Sequence, residues 1–106
     1  TGGVNVYPAE IENVLDDHPA VHEVAVLASP DEEWGEAVSA VVVLNKECTA
    51  TELINFARQR LSGPKTPKQI IFVNELPKTG SGKVLKRELS HLFSNAIQSN
   101  SDISAG

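Results

Sequence analysis

Between Leu76 and Leu89 the chain reads Leu-Pro-Lys-Thr-Gly-Ser-Gly-Lys-Val-Leu-Lys-Arg-Glu-Leu. Gly80 and Gly82, set among Thr79 and Ser81, let a backbone come close to a ligand, and Lys83 can deliver a mobile positive charge with three donors. Phosphate or carboxylate is the chemistry such a segment serves. A nucleotide P-loop would place glycine six residues before the lysine and Ser or Thr directly after it, and this chain has Pro77 and Val84 there. What the residues alone leave is a glycine-rich loop carrying Lys83 ahead of an amphipathic helix. A solvated loop with a surface lysine is the competing explanation.

Other chemistry finds less support. Cys48 is the only cysteine, so no intramolecular disulfide and no cysteine-based zinc site is expected. His18, His22 and His91 are scattered, so a metal centre would need ligands from distant segments, and none is expected. The single cysteine fits a reducing, cytoplasmic setting. The net charge of −5 argues against non-specific nucleic-acid binding, but it is unevenly spread. Residues 1–48 carry ten carboxylates against Lys46, a net of −9, and residues 49–106 carry four against eight cations, a net of +4. An anionic ligand would therefore be handled by the second half.

The elements that must position Lys83 follow from patterning. At 106 residues and 41% hydrophobic, the chain suits one ordinary domain, and no apolar run approaches the roughly 20 residues of a membrane-spanning helix. Pro8 suits a first helical position, and Ile11, Val14 and Leu15 share one face, so a helix should run from Pro8 until Asp16 to Pro19 ends it. Residues 21–28 and 37–44 are rich enough in Val and Ala to be buried strands, with residues 29–36, including Trp34 and Gly35, as an acidic turn. Thr49 and Glu52 have capping-box spacing, predicting a helix over 50–61 that Gly63-Pro64 stops. A third strand over 69–73 leads into the glycine-rich segment. Leu85, Leu89, Leu92 and Phe93 then predict a short helix. The order predicts an α+β fold, a small mixed three-stranded sheet flanked by helices. Its first two strands pair antiparallel, and the last two are parallel across a helical crossover. Residues 94–106, rich in Ser, Asn and Gln, are expected to form a disordered tail.

The wording of the glycine-rich segment closely resembles the C-terminal signature of the acyl-adenylate-forming enzymes, which include acyl-CoA synthetases, peptide-synthetase adenylation domains and luciferases. Three other stretches fall in the same family's order. Gly2-Gly3-Val4-Asn5-Val6-Tyr7-Pro8-Ala9-Glu10-Ile11-Glu12 looks like the opening of its C-terminal domain. His18-Pro19-Ala20-Val21 and the Trp34-Gly35 region follow, and then Phe72-Val73-Asn74-Glu75-Leu76-Pro77. The resemblance covers about residues 2–93 and implies a C-terminal lid domain over 1–93, starting at or just past an interdomain hinge, with Thr1 an imposed boundary rather than a natural start.

The resemblance implies that the complete enzyme uses ATP, Mg and CoA and joins a small-molecule carboxylic acid to a thiol. The lid partners an N-terminal adenylation domain, without which it is inactive. Lys83 takes the place of the family's catalytic lysine, on the loop Thr79, Gly80, Ser81 and Gly82. Gly2 and Gly3 correspond to the face that, after rotation of the lid, leaves a channel for the pantetheine arm. Lys65 and Lys68 lie in the region that often contacts the CoA phosphates, although Pro64 replaces the aromatic residue many acyl-CoA synthetases carry there. Lys78, Lys86 and Arg87 could support Lys83 electrostatically, and Trp34 is expected to pack rather than to touch ligand. Adenylation for a carrier protein and a stand-alone anion-binding module are the alternatives.

Overall fold

The computed structural model describes residues 7–31 and 35–92, with the side chains of 29–31, 35 and 36 left aside. Gly2, Gly3, Trp34, Phe93 and the 94–106 tail therefore lie outside the described residues.

The first helix, α1, spans Pro8–Asp16, with proline opening its first turn and Ile11 and Leu15, four residues apart, buried on one face. Strands β1 (Val21–Asp31) and β2 (Gly35–Leu44) follow. They pair antiparallel from Val21 opposite Leu44 to Asp31 opposite Gly35, with an irregularity between Val21 and Glu23. β1 runs three residues and β2 two residues further into the acidic segment than their composition predicts. Cross-strand pairing outweighs the poor strand propensity of that stretch, and Pro30 is tolerated because β1 is an edge strand.

Thr49 caps α2, Ala50–Arg58, by accepting a hydrogen bond from the Glu52 N–H at 3.1 Å. Only half of the predicted capping box forms, because the Glu52 carboxylate accepts from the Cys48 thiol instead. The helix ends at Arg58, earlier than predicted, and a 3-10 turn at Gly63–Lys65 leads to β3, Gln69–Phe72. β3 pairs parallel to β2, giving the predicted mixed sheet in the order β1-β2-β3. Residues 86–92 form the last helix described, α3. Leu85, predicted on its apolar face, stands before the helix and is exposed.

Strand side chains alternate between two apolar layers, so both faces of the sheet are covered, as near-continuous Val and Ala runs require. Val26, Val38, Ala40, Val42 and Ile70 pack with Ile11, Leu15, Leu53 and Ala57 of α1 and α2. Ala25, Val41 and Val43 pack with Leu76 and Leu89, which bring the glycine-rich segment and α3 onto the opposite face. Among the described residues no helix is long and apolar enough to cross a membrane.

Candidate functional site

The segment from Leu76 to Leu89 is anchored at both ends, since Leu76 and Leu89 are buried in the second layer and Val84 packs against them. Between the anchors the chain turns back on itself. Lys78 and Val84 form an antiparallel bridge, and the Leu85 N–H donates to the Pro77 carbonyl at 2.8 Å. Inside this hairpin the Thr79 N–H donates to the Lys83 carbonyl (2.8 Å), and the Gly82 N–H donates to the Thr79 carbonyl (2.9 Å). The Lys83 N–H donates to Thr79 Oγ1 (3.1 Å), and that oxygen also lies 2.9 Å from Ser81 Oγ. Thr79 thus holds both backbone polar groups of Lys83. The segment is a knitted hairpin rather than the loosely held loop its composition suggests.

The tip closes through Gly82, whose φ of +92° is strained for any residue with a Cβ. Nothing lies within 4 Å of where a Cβ would sit on Gly80 or Gly82, so the tip faces open space. Lys83 is exposed, and its ammonium makes no hydrogen bond or ion pair among the described residues. A fixed backbone carrying an uncommitted cation is the arrangement suited to lending a charge to another surface.

The flanking lysines are committed. Lys78 pairs with Glu23 of β1. Lys86 Nζ donates to Glu12 Oε2 and to the Val26 carbonyl, each at 2.6 Å. Neither acts as a second free charge beside Lys83, whereas Arg87 is exposed at the start of α3.

Lys65 and Lys68 lie apart from the hairpin, ahead of β3 on the sheet edge opposite β1. Lys65 Nζ is 2.8 Å from Glu10 Oε1, and only 23% of its side chain is exposed. The Lys68 N–H donates to the Val38 carbonyl at 2.9 Å, and Lys68 shares with Arg58, Ile54, Gly63, Thr66 and Pro67 a cleft of about 400 Å³. Arg58 was not singled out by the sequence, because its place beside Lys68 depends on how α2 crosses back to β3.

One other cluster was missed. His18, Cys48 and Glu52 bring ligand-type atoms within 4.8 Å of one another, uniting the lone cysteine with a histidine distant in sequence. The Cys48 thiol donates to Glu52 Oε2 at 3.1 Å, and His18 Nε2 lies 3.7 Å from the same oxygen. Burial, then the hydrogen bond to Glu52 and its charge, push the thiol from 9.0 up to about 11. His18 Nδ1 accepts from the Ala20 N–H at 3.0 Å, which puts the neutral imidazole's proton on Nε2. A metal on Nε2 would move that proton to Nδ1, against the Ala20 donor, and a ligating histidine needs its other nitrogen to donate. The cluster does not fit a metal centre, and a thiol with imidazole fits Mg²⁺ least, since that ion takes oxygen ligands.

Comparison with known proteins identifies the family of this chain. The family described as AMP-binding enzyme C-terminal domain matches residues 10–83. The 2-succinylbenzoate–CoA ligase of Bacillus cereus strain Q1 is 45% identical over 92 residues, 87% of this chain and 19% of that ligase. Among solved structures, the Mycobacterium tuberculosis fatty acyl CoA synthetase aligns with a TM-score of 0.79 at 42% identity, over 91% of this chain and 19% of that one. The o-succinylbenzoate CoA synthetase of Bacillus subtilis, in complex with its acyl-adenylate intermediate, aligns with a TM-score of 0.76 at 41% identity, over 83% and 18%. This chain therefore spans about a fifth of the length of the relatives it matches. It belongs to the AMP-binding enzyme C-terminal domain family, and the relatives named here are CoA ligases or synthetases.

Proposed function

We propose that this domain is the C-terminal lid of an ATP-dependent acid–CoA ligase, in which Lys83 serves acyl-adenylate formation. The observation that carries the proposal is the uncommitted Lys83 ammonium on a backbone fixed by Thr79. The names of the relatives, which join acids to CoA, support it.

In the first half-reaction the substrate carboxylate attacks the α-phosphorus of ATP, and pyrophosphate leaves. Two anions must approach, and negative charge then crowds the transferring phosphorus, so a preorganised cation lowers the barrier. Lys83 supplies that cation by bridging the carboxylate and the α-phosphate or ribose oxygens. In the second half-reaction a thiol attacks the acyl carbon and AMP leaves. Rotation of the lid about its hinge would withdraw Lys83 and bring up the Gly2-Gly3 face, with a channel for the pantetheine arm. Lys65 and Lys68 would meet the CoA phosphates, with Arg58 lining the cleft beside Lys68. Lys65 must first exchange its bond to Glu10. The proposal includes an N-terminal adenylation domain as partner, the domain alone being inactive, and a cytoplasmic setting. Among the described residues the His18, Cys48 and Glu52 group does not fit Mg²⁺.

Replacing Lys83 by alanine in the complete ligase should lower adenylation, followed by pyrophosphate exchange, by about 10² to 10³, the usual loss on removing one preorganised donor. Thioester formation from supplied acyl-adenylate should stay nearly intact. Equal losses in both half-reactions would contradict the assignment.

A further inference from the structure

β1 is an edge strand, and at Val26 its outward backbone groups are both taken by charged side chains. The Val26 N–H donates to Glu12 Oε2 at 2.8 Å, and the Val26 carbonyl accepts from Lys86 Nζ at 2.6 Å. The two side chains then meet each other, also at 2.6 Å. Glu12 comes from α1 on one face of the sheet and Lys86 from the first turn of α3 on the other. Their pair is a clamp passing around the sheet edge, and it fastens the chain three residues after Lys83. Lys78, five residues before Lys83, is tied to Glu23 on the same strand.

Packing does not span this gap. Glu12, Glu23, Val24, Leu76 and Val84 line an open groove of about 320 Å³ between α1, the β1 edge and the hairpin. Val84 and Leu76 hold the hairpin to the sheet through the second apolar layer, and across the groove it is the ion pairs that tie it to β1 and α1. Lys86 is 43% exposed and Glu12 25%, and both also bond the backbone, which distinguishes them from a freely solvated pair.

We infer that Glu12 and Lys86 are positioning residues for Lys83, fixing the angle at which the hairpin presents its ammonium. The inference rests on the proposed role of Lys83 in adenylation. A displacement of the order of 1 Å at a catalytic group is enough to cost one to two orders of magnitude. Glu12→Gln isolates the clamp, since the amide oxygen can still accept from the Val26 N–H while the charge facing Lys86 is lost.

In the complete ligase, Glu12→Gln and Lys86→Gln should each lower the adenylation kcat about tenfold, with the KM values for ATP and acid within about twofold. Thioester formation from supplied acyl-adenylate should be spared, and Lys86→Arg should restore most of the rate. Adding Glu12→Gln to Lys83→Ala should cost nothing further, because the clamp acts through Lys83. Unchanged adenylation in Glu12→Gln, an equal loss in both half-reactions, or a further loss on the Lys83→Ala background would overturn the inference. Lys83→Ala alone separates the two claims. If it leaves adenylation intact, the role of Lys83 falls and the clamp's with it. If it abolishes adenylation while Glu12→Gln does not lower it, only the clamp falls.

Discussion

The hairpin around Lys83 and the start of α2 around Cys48 both gather residues of types that enzymes use, but they dispose of them differently. At α2 the reactive atoms consume one another. The Cys48 thiol is bound to Glu52, and His18 Nδ1 is occupied by the Ala20 N–H. His18 also meets the Phe56 ring edge-on at 4.9 Å, with the Arg60 guanidinium 3.6 Å from the centre of that ring. At the hairpin Thr79 holds the backbone of Lys83, while the Lys83 ammonium has no partner among the described residues. Residue type nominates a candidate, and what the described neighbours leave unpaired narrows the choice. Several lysines follow the same rule, because carboxylates of the acidic first half pair with three of the eight cations of the second. Glu10, Glu12 and Glu23 take Lys65, Lys86 and Lys78.

Matched truncations in the two apolar layers test this contrast with the largest expected effect. Leu53 and Leu89 are both fully buried, Leu53 beneath α2 and Leu89 in α3. Alanine at either position should destabilise the domain by about 2–5 kcal/mol, through lost transfer free energy and the cavity left behind. The difference should appear in catalysis. In the complete ligase below its unfolding transition, Leu89→Ala should slow pyrophosphate exchange by loosening the support of the hairpin. Leu53→Ala should not. Parallel unfolding curves and half-reaction assays would show it, and equal kinetic losses in the two variants would erase the distinction between the layers.

Gly82→Ala is the next step down. At φ +92° an alanine costs about 1–2 kcal/mol of local strain, although the space around it is open. The hairpin should relax by breaking the bond between the Gly82 N–H and the Thr79 carbonyl, misplacing Lys83 and slowing adenylation severalfold. Gly80→Ala, whose site is open and whose φ is unexceptional, is the control and should leave adenylation near its starting rate.

Much of this was legible from residue order. Sequence patterning located α1, the antiparallel strand pair and the parallel third strand, and the resemblance of residues 76–89 singled out Lys83. The strand ends were not legible, because residues 29–31 and 35–36 have turn-like composition and are extended through pairing with one another across the two strands. Leu85 fits the helical spacing of Leu89 and Leu92, but the Pro77 carbonyl holds its N–H in the hairpin, so α3 begins one residue later. The ion pairs were least accessible. Lys86 and Glu12 stand 74 positions apart, and nothing local to either records that the fold will bring them to one edge. The charge division of the two halves was visible, but its consequence as internal neutralisation was not.

The smallest expected effect concerns Cys48. Its thiol ionises near 11 in the folded chain rather than 9.0, because burial and the Glu52 carboxylate disfavour the thiolate. A folded-state value above the unfolded one means the native protein keeps its proton where the unfolded chain loses it. The stabilisation is therefore fully present below about pH 9 and is lost as pH rises through the window up to about 11. Alkylation by iodoacetamide, which needs the thiolate, should accordingly be slow at neutral pH and rise with a midpoint near 11. Glu52→Gln should lower that midpoint only partway toward 9.0, since burial is the larger cause and remains. Its backbone N–H would still donate to Thr49, so the cap on α2 survives and the change reports the carboxylate alone. A native midpoint already at 9 would mean that Glu52 does not hold the thiol proton. The α2 cluster would then have a spare reactive group of its own, and its contrast with the Lys83 hairpin would narrow.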